Sequence, residues 1–261
     1  MINDHLVELY NQASKHSSYQ IVAEPLREHV PLALLKTKSR FEQERLEYIL
    51  KKVPISTAAV ADIGGNTGFF TFELINRGAS SSLFIEGNQA QVLFVQEAAK
   101  ILGIQNKIDI HQRYLSFGND LSFIDVDVCL LLNVLHHVGD DYNNEIQNIE
   151  SAKEQILFSL NRLSRCSKTL IFQLGFNWKG NISLPLFEGG EKREQIEFIS
   201  IGTEDFWDVR DIGIAVSLDT GIVYEDLDSK NINRMDELGE FLNRPIFILE
   251  SKFPEKAMHT V

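Results

Sequence analysis

Polar residues with chemistry to offer stand where apolar runs stop. Asp62 closes the run AAVADIG, and a turn containing Gly64, Gly65, Asn66 and Gly68 leads from it into the aromatic stretch FFTFEL. Glu86 closes SLFIEG, with Gly87 directly behind it. Asn133 closes the apolar run in VDVCLLLNVLHHVGDDY, and His136 and His137 follow. Glycines have no Cβ to hold a ligand off the main chain, and they accept backbone angles forbidden to other residues. A helix starting near Gly68 has N–H groups without helical partners. In open α/β sheets, ligands bind at the carboxyl ends of strands.

The spacing is D-x-G-G-x-x-G rather than G-x-G-x-x-G. Asp62 is expected to point a carboxylate ahead of the glycines. There it repels the pyrophosphate of a dinucleotide and welcomes a cofactor with a positively charged amino-acid end. S-adenosylmethionine (SAM), whose methyl-transfer product is S-adenosylhomocysteine, has such an end. Glu86, about twenty residues on, suits the two ribose hydroxyls. NAD would use Glu86 in the same way, so that acid alone does not discriminate. The alternative is that Asp62 caps the turn and Glu86 is a surface residue.

Asn133 is expected at the reactive end of the cofactor, with an amide that both donates and accepts. Histidine titrates near neutrality and suits removal of a proton from an acceptor hydroxyl. Methyl transfer from a sulfonium needs alignment of the acceptor and, for a poor nucleophile, loss of its proton. A phosphate or carboxylate acceptor needs no base, and histidine would then donate a hydrogen bond or act as a cation. His137 is preferred to His136 as the base, the alternative being one packed and one surface histidine. Adjacent histidines in an extended segment point in opposite directions, and no third ligand is placed, so no metal is expected.

The elements that must position these residues alternate. AAVADIG, SLFIEG, KIDIHQRYL, VDVCLLLNVL and KTLIFQLG read as strands, and helical spacing lies between them, about 88–102 and about 144–164. Strands apolar on both faces, alternating with helices, make a parallel sheet covered on both sides. GIVYEDLD and RPIFILESKF read as the last two strands, an antiparallel pair at the sheet edge. The expectation is an α/β, Rossmann-like, seven-stranded and mostly parallel sheet. FEQERLEYILKKV reads as a helix in an N-terminal helical cap over 1–52. An insertion over the carboxyl edge is expected at about 176–211, after the fifth strand, where Pro185, Gly189, Gly190, Trp178 and Trp207 break the pattern.

Composition narrows the function classes. The net charge of -12 argues against a broad grip on nucleic acid. The two cysteines, Cys129 and Cys166, show no metal or CxxC spacing. MINDHLVELY lacks the basic start of a signal peptide, and the longest apolar run, 126–132, is far too short to span a membrane. A soluble cytoplasmic protein is expected.

Taken together, these residues resemble the class I SAM-dependent methyltransferases. ADIGGNTG looks like their first motif, with Asn66 in place of a glycine, and FIEGN carries the ribose acid Glu86. Gln112 to Leu115, including Arg113 and Tyr114, lies where that family contacts adenine, though Arg113 departs from the usual acid or amide. LLLNVLHHV resembles the fourth motif of small-molecule and saccharide methyltransferases with Leu-His-His. The match runs from about 53 to 175 and implies a SAM-binding methyltransferase domain over 53–261. It is nearest to bacterial methyltransferases of surface-polysaccharide assembly, some of which methylate a sugar hydroxyl or a terminal phosphate.

Acceptor choice in such a fold falls to the N-terminal helices and later insertions. Lys38 and Arg40, in LKTKSRFEQER, are candidates to hold an anionic acceptor, the alternative being a solvated helix start paired with Glu42 and Glu44. Trp178 is a candidate to stack on a sugar or to pack a lid, and Tyr19 and Tyr142 are candidates for the entrance. The leading reading is O-methylation of a small polar or anionic acceptor such as a saccharide or its phosphate. The rivals are an RNA-modifying methyltransferase, a non-catalytic subunit of the same fold, and an NAD-dependent enzyme, which Asp62 and the glycine spacing disfavour.

Overall fold

The computed structural model describes residues 2–12, 19–35, 37, 39–118, 121–140, 142–143 and 145–253. The chain divides into two compact units, Met1–Leu115 and Ser116–Val261. The first holds helices α1 (Asp4–Asn11) and α2 (Glu42–Lys52), then β1 (Ala59–Ile63), α3 (Phe69–Asn76), β2 (Ser81–Glu86), α4 (Gln89–Ile101) and β3 (Ile108–Gln112). The second holds β4 (Val126–Leu132), α5 (Ile149–Leu163), β5 (Ser167–Gln173), α6 (Lys192–Thr203), β6 (Trp207–Leu218), β7 (Gly221–Asp226), α7 (Gly239–Leu242) and β8 (Ile246–Ser251). None of the described helices is long and apolar enough to cross a membrane.

In the first unit the strands run β3-β2-β1, all parallel. Helix α3 explains much of what surrounds them. Every residue from Phe69 to Ile75 is buried, and a helix apolar on all sides must be covered on all sides. Strands β1 and β2 cover one side, and the turn Glu24–Leu26 with α2 packs against it from the N-terminal segment. Glu73, within this helix, accepts the Glu24 N–H and pairs with Arg77, so its buried charge is matched. Helix α4 starts at Asn88, whose side chain accepts the Ala90 and Gln91 N–H groups. Helix α1 packs on α4, with Tyr10 edge-on to Phe94.

In the second unit the order is β4-β5-β8-β6-β7. Strands β4 and β5 are parallel; β8 is antiparallel to β5 and β6, and β6 and β7 form a hairpin. The structure thus corrects the sequence expectation: among the described residues there are eight strands rather than seven, with parallel and antiparallel pairing mixed rather than mostly parallel. The additional strand is β6. Its first half, with Asp208, Arg210 and Asp211, is partly exposed and polar, so no apolar run announces it, and an insertion reaching to 211 cuts into it. The last two strands do not pair with each other, because β6 lies between them. Burial gives the reason. Ile246, Phe247, Ile248 and Leu249 are fully buried and need neighbours on both sides, whereas β7 is largely exposed and takes the edge.

Helices α5 and α6 pack together, and the Trp207 indole donates to the Leu160 carbonyl at 3.0 Å, tying β6 to α5. Cys129 and Cys166 are both buried thiols.

Candidate functional site

Each unit contributes its own candidate turn. In the first, Asp62 is the last residue but one of β1, and the glycine turn follows. The Gly64 N–H donates to the Ile85 carbonyl at 2.8 Å, and the Gly68 N–H donates to Gly65 at 2.9 Å. Gly64 and Gly68 have φ of 70° and 75°, and Asn66 has 54°. Asparagine tolerates this left-handed region better than most residues, which explains how it replaces a glycine here. Gly65 is required by space. A Cβ there would lie 2.5 Å from the Phe84 ring and 2.8 Å from Asp62 Oδ2.

Asp62 therefore lies under the turn. It is 4% exposed, and its Oδ2 accepts the Thr71 hydroxyl of α3 at 2.9 Å. Burial pushes its carboxyl up to about 6, opposed by hydrogen bonds from the Thr71 side chain and main chain; Glu86 adds to the rise and Arg45 opposes it. The carboxylate is thus turned inward to α3. Glu86 bridges two loops: Oε2 accepts the Asn66 N–H at 3.0 Å and Oε1 accepts the Asn88 N–H at 2.8 Å. Tyr114 lies on Gly87, so close that a Cβ there would fall 2.4 Å from its ring. The tyrosine is 54% exposed. Arg113 is exposed and turns toward His111, whose ring reaches Asp109.

The start of α3 has a partner that no motif announces. Gln20 is buried, and its Oε1 accepts both the Phe69 N–H at 2.9 Å and the Thr67 hydroxyl at 3.0 Å. The Gln20 carbonyl in turn accepts the Tyr10 hydroxyl, which also meets Thr37. Burial pushes the Tyr10 phenol up to about 12.

In the second unit, β4 ends at Asn133, which has a φ of 63°. Its N–H and its Nδ2 both donate to Gln173, to the carbonyl and to Oε1, each at 2.8 Å. Its Oδ1 accepts from Arg244 Nη1 at 2.7 Å. Gln173 Nε2 donates to the Arg244 carbonyl at 3.0 Å. Arg244 also forms a fork with Glu240, through Nε and Nη2. Of these partners, Gln173 has a local signal in the sequence, since it closes the apolar run of β5 as Asn133 closes β4. Arg244 and Glu240 have none.

The histidines occupy a 3-10 turn, Leu135–His137, and not an extended segment. Their rings do not diverge: the centroids lie 4.2 Å apart at 40°. His136 is buried, and its Nδ1 accepts the Gly175 N–H at 3.3 Å. His137 is half-buried. Its Cε1 would lie 3.4 Å from a Cβ on Gly180, so the Trp178–Gly180 turn packs beside it.

Of the two roles open to Trp178, stacking on a sugar or packing a lid, its burial fits packing. Trp178 is 4% exposed, its Nε1 donates to the Val138 carbonyl, and Lys179 Nζ stands 4.3 Å from its ring. The indole packs one turn against the other and has no face to offer a sugar. Tyr142 is likewise buried, with its hydroxyl on the Leu135 carbonyl, and does not line an entrance. Lys38 lies outside the described residues. Arg40 stands 4.8 Å from the centroid of Tyr19, a ring that is 36% exposed. Among the described residues no group of three or more His, Cys, Asp or Glu side chains is arranged to hold a metal.

No protein-family model matches the chain, and no curated protein sequence matches it. Solved structures do. The bifunctional kinase-methyltransferase WbdD matches with a TM-score of 0.57 at 15% identity, over 94% of this chain and 46% of its own. A second WbdD structure gives 0.56 at 14% identity with the same coverage. This chain thus spans less than half the length of the WbdD chains it matches. A Pyrococcus horikoshii structure assigned as an RNA methyltransferase gives 0.45 at 15% identity, over 81% of this chain and 82% of its own. At such identities the likeness is one of fold, and the fold is that of the class I SAM-dependent methyltransferases.

Proposed function

We propose that this protein is a SAM-dependent methyltransferase that O-methylates a small polar or anionic acceptor, such as a saccharide or its phosphate, in surface-polysaccharide biosynthesis. One observation carries the choice of cofactor. Four main-chain donors that a dinucleotide pyrophosphate would use are already engaged. Asn66 N–H goes to Glu86, Gly68 N–H to Gly65, Phe69 N–H to Gln20, and Gly64 N–H to Ile85. A pyrophosphate would meet the Glu86 carboxylate with those donors spent. A cofactor with a ribose diol and a cationic end suits the same surroundings. Glu86 fits the ribose hydroxyls, and Gly64, Gly65, Asn66, Gly68, Gly87, Arg113, Tyr114 and Asn133 are the further residues we assign to cofactor binding. Asp62 acts through the shape and charge of the turn.

When bound, SAM supplies a methyl group on a sulfonium, whose departure needs no proton. An acceptor hydroxyl does lose one, and His137 is the group we assign to take it, because it is less buried than His136. His136, with Nδ1 held by Gly175, supports the His137 ring from below. Lys38 and Arg40 remain the candidates for an anionic group on the acceptor. The net charge of -12 favours a small acceptor over RNA.

Titration calorimetry with S-adenosylhomocysteine, and separately with NADH, tests the reading. Binding of S-adenosylhomocysteine alone, in the micromolar range typical of metabolite sites (~1 μM–1 mM), is the expected result. Binding of NADH alone overturns the cofactor assignment. Binding of neither moves the non-catalytic subunit ahead.

A further inference from the structure

We infer that Arg244, held by Glu240, is a positioning residue that sets the direction of the Asn133 amide; this rests on the methyltransferase reading, in which Asn133 faces the cofactor. The side chains and one carbonyl form a closed ring. Asn133 Nδ2 donates to Gln173 Oε1, Gln173 Nε2 donates to the Arg244 carbonyl, and Arg244 Nη1 donates to Asn133 Oδ1. An amide can turn over and exchange its oxygen for its nitrogen, so each amide in the ring has two possible senses. Arg244 removes the choice at both ends. Its guanidinium only donates, so the Asn133 atom facing it must be oxygen. Its carbonyl only accepts, so the Gln173 atom facing it must be nitrogen. The bond between the two amides then has one consistent direction, the one observed.

Glu240 keeps the guanidinium at its post. Its two oxygens take Nε and Nη2 as a fork, and Oε1 also accepts the Phe176 N–H. The Arg244 side chain is 13% exposed. Its charge is therefore spent inside the protein, and it is not presented to an anionic acceptor. The ring also braces Asn133 in its left-handed backbone, a conformation that costs a non-glycine residue and persists when surroundings hold it. One amide N–H and one Oδ1 lone pair of Asn133 lie outside the ring and keep a constant direction.

A double-mutant cycle on the full chain tests this, with S-adenosylhomocysteine affinity as the readout. Arg244→Met and Asn133→Ala are each expected to weaken binding about tenfold, and the double variant is expected to be no weaker than Asn133→Ala alone. Losses that multiply in the double variant overturn the inference, since Arg244 would then act independently of Asn133. The second arm is the side-chain amide NMR signal of Asn133, assigned by its loss in Asn133→Ala. Glu240→Gln, a milder change than Arg244→Met, is expected to shift this signal and hasten its hydrogen exchange, and an unmoved signal overturns the inference. If the wild-type chain binds no S-adenosylhomocysteine, the methyltransferase reading fails by itself, and the NMR arm still decides whether Arg244 holds Asn133.

Discussion

The turn after β1 and the turn after β4 both follow an apolar strand and both contain left-handed residues, yet they are built on different plans. The glycine turn is held mainly through its main-chain N–H groups. Gly64 and Gly68 make backbone bonds, and the carboxylates of Asp62 and Glu86 bond to main-chain N–H groups or to Thr71. The turn after β4 is held by side chains from distant segments: Gln173, 40 residues from Asn133, and Arg244, 111 residues from it. The first plan fixes a main-chain shape, with acceptors supplied by Ile85, Glu86 and Gln20. The second makes an orientation that exists only when three segments come together.

The sharpest separation of the two turns concerns turnover. His137→Ala is expected to lower kcat by ~10²–10⁴-fold, the usual range for a lost general base. S-adenosylhomocysteine affinity should stay unchanged, because the glycine turn does not depend on His137. Single-turnover methylation with a panel of sugars and phosphosugars, beside calorimetry, would show it. A variant with wild-type turnover would remove His137 from the chemistry.

The glycine turn makes its own prediction in pH. The Asp62 carboxyl is raised from the ordinary 3.8 to about 6. The folded protein therefore binds this proton where the unfolded chain has released it. The benefit of the neutral form is full below about pH 4 and is lost as pH rises to about 6, a change of about 3 kcal/mol. Asp62→Asn should flatten that part of the profile, so that the melting temperature of the wild type falls relative to the variant between pH 4 and 6. Parallel profiles would mean that the buried acid is already ionised at low pH.

The smallest effect belongs to the brace behind the glycine turn. Gln20→Ala removes the acceptor for the Phe69 N–H and should cost about 1 kcal/mol, as for a lost helix cap. Chemical denaturation of the full chain would measure it. No change would mean that the start of α3 is satisfied in another way.

Part of this contrast is legible in the amino-acid sequence. Helix α4 falls at 89–101 within the expected 88–102, and Asn88 caps it as its type suggests. Asp62, Glu86 and Asn133 do stand at strand ends. The direction of Asp62 is not legible, because a carboxylate at a strand end can turn outward to a ligand or inward to a helix, and the nearby Thr71 hydroxyl decides it. The histidine rings are not legible either. Local spacing continues the extended strand past Asn133, whereas that left-handed residue breaks it into a 3-10 turn. For Trp178 the sequence leaves stacking on a ligand and packing a lid equally open, because its indole partner, the Val138 carbonyl, lies 40 residues away.

The sequence by itself determined the alternation of strands and helices, the residues that close each strand and the glycine turn with its two acids. These follow from local periodicity and from steric rules that act over a few residues. The tertiary structure alone decided that β8 enters between β5 and β6, that Gln20 closes the start of α3, and that Arg244 directs Asn133. Those outcomes depend on which apolar faces need cover and on which donors and acceptors meet once the chain is compact, and neither is written in the spacing of neighbours.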